Sequence, residues 1–298
     1  MRNLERLGLA EPAGPARWIL AADAEQRLRD LGERGDIIKR LHKSLAKDGA
    51  TRAPSSWAIE GESHGEPITG RLIARGLDDE LRGTAFAVVD GIDGRVHHLK
   101  LPDIDMAGDG PIGGIVELRR FDDARGRQRI ALAVRSDLNL DQQVTAEGAT
   151  WLDRRLVARE PAALSRAGFG AEVRAALDRR IDTLAEQGLA RRDGDKVTIA
   201  RNLVGRLRDR ELETVGRRLA SEAGLAHLPA ETGEHVSGVY RQRLSLASGR
   251  FAMIDNGLSF QLVPWIPSLE RELGRQVNGI AGPGGVEWSF GRKRDLSL

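Results

Sequence analysis

Leu184-Ala185-Glu186-Gln187-Gly188-Leu189-Ala190 echoes Leu4-Glu5-Arg6-Leu7-Gly8-Leu9-Ala10 near the start of the chain, and this repetition decides the reading of the fold. Each stretch runs into a turn with a glycine, Gly14 or Gly194, and then a short β-prone run, Trp18-Ile19-Leu20 or Val197-Thr198-Ile199. Arg27-Leu28-Arg29-Asp30 recurs unchanged as Arg206-Leu207-Arg208-Asp209, and Lys39-Arg40-Leu41 parallels Arg217-Arg218-Leu219. Further on, Gly65-Glu66-Pro67-Ile68-Thr69-Gly70 parallels Gly233-Glu234-His235-Val236-Ser237-Gly238, and Phe86-Ala87-Val88-Val89-Asp90 parallels Phe251-Ala252-Met253-Ile254-Asp255. Leu99-Lys100-Leu101-Pro102 closes the series against Gln261-Leu262-Val263-Pro264. A collinear run of matches is expected of an internal duplication, not of chance.

Working outward, each unit reads as a helical module followed by a β module. Val173, Leu177, Ile181 and Leu184 recur at helical spacing and form one apolar stripe, and Gly188 is a natural stop for that helix. Arg191 to Ile199 reads as a hairpin around Asp193-Gly194, followed by an amphipathic helix from about Leu203 to Ala223. A helix closed by a two-stranded hairpin is the pattern of a winged helix-turn-helix. The first β module alternates over Ile68–Ile73, Thr84–Val89, Val96–Leu101, Ile115–Leu118 and Ile130–Val134. Five short strands separated by turn signals suggest a small barrel of SH3 or OB type. The second β module opens at Val236, is interrupted by a helix-like stretch from Ser268 to Leu273, and closes with Val286 to Phe290.

The expected fold class is therefore α+β, internally duplicated, with winged-helix-like modules alternating with small antiparallel SH3/OB-like β-barrel modules. The boundaries fall at 1–60 for a truncated winged-helix-like remnant with helices and 61–149 for a small barrel. They continue with 150–230 for a winged helix-turn-helix with a further helix, and 231–298 for a second small barrel with a basic tail. In the second unit a helix precedes the hairpin, whereas the first unit starts only a few residues before its own. This points to a truncated front, so the chain reads as the tail of a longer protein or a free-standing remnant of one.

The 298 residues carry 46 Lys and Arg against 44 Asp and Glu, a balance too even to establish a nucleic-acid partner unless the cations cluster. Without cysteine there are no disulfides, no thiol catalysis and no thiolate-held metal. No run of about 18 apolar residues exists to span a membrane, and the N-terminus lacks a signal-peptide core. The expectation is a cytoplasmic protein without membrane insertion.

Cations do cluster on the second helical module. Arg174, Arg179 and Arg180 lie on or beside the face away from the apolar stripe, Arg191, Arg192 and Lys196 decorate the hairpin, and Arg201 follows it. Long cationic side chains in this pattern suit a helix and wing set against DNA phosphates. The alternative is a solvated face laced with Glu172, Asp178, Asp182, Glu186, Asp193 and Asp195. Catalytic chemistry is harder to place. His97 and His98 are adjacent on a strand and point to opposite faces, so they cannot readily share one ion and read as surface residues. Tyr240 reads as packing; Trp151, Trp265 and Trp288 have two readings, base stacking in a single-strand-binding barrel or the commoner core packing; Gly83 and Gly249 read as turn glycines, and Ala281 to Gly285 as a hairpin loop without a phosphate-binding helix. No catalytic residue, metal site or cofactor is expected. Arg292, Lys293 and Arg294 form a cationic tail with two readings, a frayed solubilising end or a transfer signal.

Several stretches are word-like: Thr150-Trp151-Leu152-Asp153-Arg154-Arg155-Leu156-Val157-Ala158, Ser248-Gly249-Arg250-Phe251-Ala252, Leu262-Val263-Pro264-Trp265 and Gly32-Glu33-Arg34-Gly35-Asp36-Ile37-Ile38. In these the chain resembles the carboxy-terminal domain of VirD-type plasmid relaxases, over nearly its whole length. The resemblance implies a setting in conjugation or plasmid mobilisation. Partners would be DNA, a relaxase nuclease domain and the coupling protein of a type IV secretion system. The tyrosine and histidine triad of that family's nuclease have no match here, so no catalytic residue carries over. Two functions stand: a non-catalytic DNA-binding accessory region, or a protein-interaction and secretion-recognition module.

Overall fold

The computed structural model describes residues 4, 6–7, 9–13, 17–49, 52–59, 67–123, 125–194 and 196–290. The cationic tail at Arg292, Lys293 and Arg294, the turn glycine Gly14, and Gly65-Glu66 of the repeat lie outside the described residues. The first unit opens with strands β1 (Ala10–Pro12) and β2 (Trp18–Leu20), paired antiparallel, followed by helix α1 (Ala24–Asp48). Helix α1 ends where Gly49 takes a left-handed φ of 71°, which closes the last turn without a Cβ clash. A sheet follows, built from β3 (Trp57–Ile59), β4 (Thr69–Asp79), β5 (Thr84–Gly91), β6 (Val96–Leu101), β7 (Ile115–Asp122) and β8 (Gln128–Ser136).

Three helices then lead into the second unit: α2 (Leu140–Thr145), α3 (Trp151–Val157) and α4 (Gly168–Glu186). The hairpin of β9 (Ala190–Asp193) and β10 (Lys196–Ile199) and the helix α5 (Leu203–Ala223) follow, as the sequence led one to expect. The second sheet contains β11 (Ala226–His227), β12 (His235–Leu246), β13 (Gly249–Asp255), β14 (Ser259–Pro264), β15 (Gln276–Gly282) and β16 (Gly285–Trp288). The helix-like stretch after β14 is a 3-10 helix, Pro267–Glu272.

The β modules depart from expectation. Each is an open six-stranded sheet, in the orders β3-β6-β5-β4-β7-β8 and β11-β14-β13-β12-β15-β16; neither closes into an SH3- or OB-type barrel. The extra strands, β3 and β11, come from stretches assigned above to helical modules. They pair parallel to β6 and β14, whereas every other pairing is antiparallel. Closure fails for a physical reason. β3 and β11 are only three and two residues long, and the outer half of β7, Arg119 to Asp122, is exposed throughout. One edge of each sheet, β3 or β11, is thus too short to pair with the opposite edge, β8 or β16, along its length.

Each sheet buries both faces over its inner strands. In the first, Leu72, Val89, Leu99, Leu101 and Leu118 build the core on one face. On the other, Ile73, Val88 and Val96 pack against Leu41 and Leu45 of α1. In the second, Val236, Tyr240, Ile254 and Val263 share one face with Leu269, and Met253, Phe260 and Leu262 pack against Leu219 of α5 on the other. Gly70 and Gly238 are needed where β4 and β12 cross their neighbours: a Cβ on either would run into the backbone carbonyl of Asp90 or Asp255. Tyr240 is core, as expected, and so is Trp151; Trp265 and Trp288 pack partly buried against the second sheet.

The last repeat match slips by two. Phe86 stands opposite Lys100, and Phe251 opposite Pro264, so Pro264 occupies the place of Lys100 and not of Pro102. His97 and His98 also need correcting, because both are buried and neither is a surface residue. Helix α1 and Asp93 cover them: His98 Nε2 lies 3.1 Å from a guanidinium nitrogen of Arg40 and stacks on Phe86, while His97 Nε2 lies 2.9 Å from Asp93.

Candidate nucleic-acid interface

Helix α4 anchors the candidate interface. Phe169, Val173, Ala176, Ile181 and Leu184 are buried on one side, and its exposed side carries Arg174, Asp178, Arg179, Asp182 and Glu186. The helix stops as the backbone N–H of Gly188 donates to the carbonyl of Ala185 and that of Leu189 to the carbonyl of Leu184. The chain then turns into the β9–β10 hairpin.

Of the cations read from the sequence, Arg180 must be withdrawn from the DNA face. It is fully buried, and each of its five N–H donors has an acceptor. Nε and Nη2 bind Asp153 at 2.9 and 2.8 Å, Nη1 binds the carbonyls of Val144 and Ala146 at 3.0 and 2.6 Å, and Nη2 also binds the carbonyl of Gly148 at 3.1 Å. Asp153 in turn accepts from the backbone N–H and hydroxyl of Thr150, closing a capping box at the start of α3. Arg180 therefore fastens the α2–α3 connection to α4. Its inward position was legible, because Val173, Ala176, Arg180 and Leu184 share one helical face.

The remaining cations fall into two groups. Arg174 donates to the carbonyl of Leu164 at 2.8 Å, Arg179 pairs with Asp141 at 2.9 Å, and Arg192 pairs with Asp182 at 2.9 Å while donating to the carbonyl of Asp178. These are committed to neighbours. Arg191 and Lys196 on the hairpin and Arg201 just after it are exposed, and their side chains have no partner among the described residues. The same holds for Arg206 and Arg210 on α5. The free positive charge thus lies on the hairpin and the first turns of α5, more than on α4.

Two of the word-like motifs meet at the joint between the units. The buried Ser248 hydroxyl accepts from the backbone N–H of Ala149 at 2.9 Å, and Arg154 donates to the Ser248 carbonyl at 2.7 Å. Glu211 of α5 accepts from the backbone N–H groups of Ala247 and Ser248. Arg250 grips Asp137 through two hydrogen bonds of 2.9 and 2.7 Å and reaches Asp109 at 2.5 Å. Burial alone would lower the Arg250 pKa, but the two carboxylates outweigh it and raise it, so this guanidinium stays charged. These motif residues hold the halves together. Sequence reasoning treated them as family words without finding this joint.

Residues 1–125 and 118–297 match a family described as a protein of unknown function, DUF3363. The chain belongs to the DUF3363 family. Comparison with curated proteins and with solved structures finds no match. In this DUF3363 chain each sheet also borders a cleft, the first reaching the β4–β5 turn and the second the β15–β16 turn. The first, about 940 Å³, lies between α1, β3 and β6 and is lined by Arg34, Arg40, Asp78, His98 and Lys100 among others. The second, about 560 Å³, lies between α5, β11 and β14 and is lined by Leu212, His227, Leu262, Val263 and Pro264 among others. Burial, followed by the charge of Arg40, pushes the His98 pKa down to about 4, so this imidazole is neutral at pH 7. Among the described residues no group of three His, Asp or Glu could hold a metal ion, and no helix is long and apolar enough to cross a membrane.

Proposed function

We propose that this chain is a non-catalytic, DNA-binding accessory region of a conjugative or mobilisation relaxase, working in the cytoplasm. One observation carries the DNA reading: Arg191, Lys196 and Arg201 are exposed on one hairpin and its exit and form no ion pair among the described residues, although Asp193 stands opposite Lys196 in the hairpin. Exposed guanidinium and ammonium groups so placed are suited to phosphate oxygens, which position a protein on nucleic acid without reading sequence. The α4 face suits the major groove less well, because Asp178 and Asp182 lie on it and would oppose phosphate. The contact is therefore wing-led, continuing along Arg206 and Arg210 of α5. The relaxase setting rests on the resemblance of the word-like motifs.

We read the two units as copies of one design, with the winged-helix-like arrangement complete in 150–230 and partial in 1–60. The common strand order of the sheets supports this, with a parallel edge strand in each, as do the matching hydrogen bonds at the two hairpins.

The test is a mobility-shift titration of the full chain with mixed-sequence duplex and single-stranded oligonucleotides across salt concentrations. Wild type is expected to bind with a log–log salt slope set by the phosphates neutralised, about −0.9 for each on duplex. Arg191→Glu, Lys196→Glu and Arg201→Glu together are expected to abolish binding without changing the circular dichroism spectrum. A folded triple variant that binds like wild type refutes the wing contact. Silence toward DNA with capture of a secretion coupling protein favours the protein-interaction reading.

A further inference from the structure

The β7–β8 ribbon runs on past the core that it helps to build. Val116, Leu118, Ile130 and Leu132 belong to that core, so strand alternation sends Glu117, Arg119, Phe121, Arg129, Ala131 and Ala133 to the other face. In register Phe121 stands opposite Arg129, Arg119 opposite Ala131, and Glu117 opposite Ala133. Phe121 is 43% exposed and belongs to no buried cluster among the described residues. The two alanines further along this face are too short to cover its ring.

Positive charge surrounds the ring in excess. Arg135 and Arg119 share one carboxylate, Glu117, at 2.6 and 3.4 Å. Arg127 and Arg129 share another, Asp123, at 3.0 and 3.3 Å. Arg125 in the turn is exposed, and its side chain has no partner among the described residues. The ribbon's remaining carboxylate, Asp122, lies on the opposite face with Arg120. This face also adjoins the cations of α5 through Arg154 of α3. Burial first, and then the charge of Arg208, push the Arg154 pKa down, with a smaller push from Arg135.

We propose that the β7–β8 face centred on Phe121 binds single-stranded nucleic acid, an unpaired base stacking on the ring while the surrounding arginines hold the phosphates. Stacking needs a flat, exposed ring and tolerates any base, whereas cations alone would hold any polyanion. An acidic peptide would use the arginines and leave the ring idle, so the aromatic side chain is what favours a nucleic acid. The inference adds a second contact to the hairpin site and rests on it for most of the affinity, since one stacked ring is a weak anchor.

The experiment titrates the full chain with a blunt duplex, with the same duplex carrying a tail of about 16 unpaired thymidines, and with one carrying an abasic tail of equal length. Blunt-duplex binding reads the hairpin, and the gain on adding a tail reads the ribbon. The thymidine tail is expected to tighten binding by about tenfold. Phe121→Leu, at an exposed position, should lose that gain while blunt-duplex affinity and the circular dichroism spectrum stay as in wild type; Phe121→Tyr should keep it. A blunt duplex left unbound while the tailed one binds through Phe121 refutes the hairpin contact and sustains this one. A thymidine tail that adds nothing, an abasic tail that adds as much, or a Phe121→Leu chain that keeps the gain overturns the proposal. If the tail adds nothing and a poly-glutamate peptide binds instead, the face belongs to an acidic protein partner.

Discussion

The first and second hairpin–helix units share their backbone hydrogen bonds and differ in what covers them. Leu9–Leu4 and Leu189–Leu184 are equal in length, yet Leu28 is half exposed where Leu207 is sealed. The clefts beside the two sheets tell the same story. Where β6 presents His98 and Lys100, β14 presents Leu262 and Pro264 at the same register positions. The path of the chain is set locally, by a stop glycine, a hairpin turn and helical spacing. Burial is set by whichever element arrives from elsewhere, and that can change while the path stays the same.

The sharpest way to break the comparison is at Arg180, which has no counterpart before the first hairpin among the described residues. Arg180→Met leaves Asp153 charged, buried and without its guanidinium, and is expected to cost about 3–5 kcal/mol. Urea unfolding followed by circular dichroism would show the midpoint fall. Adding Asp153→Asn should restore part of the loss, because the stranded charge goes; a double variant no better than the single would assign the cost to lost packing. Leu207→Ala comes next, at about 2–5 kcal/mol, because a fully buried leucine leaves a cavity among Leu184, Leu189 and Leu203.

These residues also mark how far the sequence could be read. The hairpins, α4 and α5 were legible because apolar spacing and glycine stops are local signals. β3 and β11 were not, since strands of three and two residues have no period to detect. The slip of the last repeat match has a definite cause: moving a strand by two residues keeps every side chain on its own face, so the pattern cannot register it. Arg180 was read as a surface cation on residue type, although its helical position said otherwise. His97 and His98 were expected at the surface because nothing in their own strand announces that α1 and Asp93 cover them. Of the candidate site, Arg191, Lys196 and Arg201 could be read as exposed cations. Which of their neighbours had already been neutralised was not, because the partners Asp141, Asp178 and Asp182 are chosen by the fold.

His98 against Leu262 gives a test through pH. The folded chain holds the His98 pKa down to about 4, and an unfolded histidine titrates near 6.5. Between those values the unfolded state takes up the proton and the folded state does not, so stability falls as pH drops from 6.5 to 4 and is unaffected above that window. The contribution reaches about 3 kcal/mol at the acid end. Unfolding midpoints measured from pH 7 to pH 4 should fall steeply in wild type and less so in His98→Leu, which installs the side chain found at the matching place in the second sheet. Parallel pH profiles would mean that the carboxylates alone govern the acid limb.

The smallest effect expected is at Leu28, and its smallness is informative. Leu28→Ala removes a side chain that is 47% exposed and belongs to no buried cluster among the described residues. Alanine also has the better helix propensity, by a few tenths of a kcal/mol at most. The two small terms oppose each other, so the change should lie within about 0.5 kcal/mol of zero, where ordinary surface substitutions fall. The same substitution at Leu207 costs several times more in an identical Arg-Leu-Arg-Asp context. If unfolding of the isolated chain shows Leu28→Ala costing as much as Leu207→Ala, then something already covers Leu28 in solution. A concentration-dependent midpoint would identify that cover as a second copy of the chain, because association raises apparent stability by mass action.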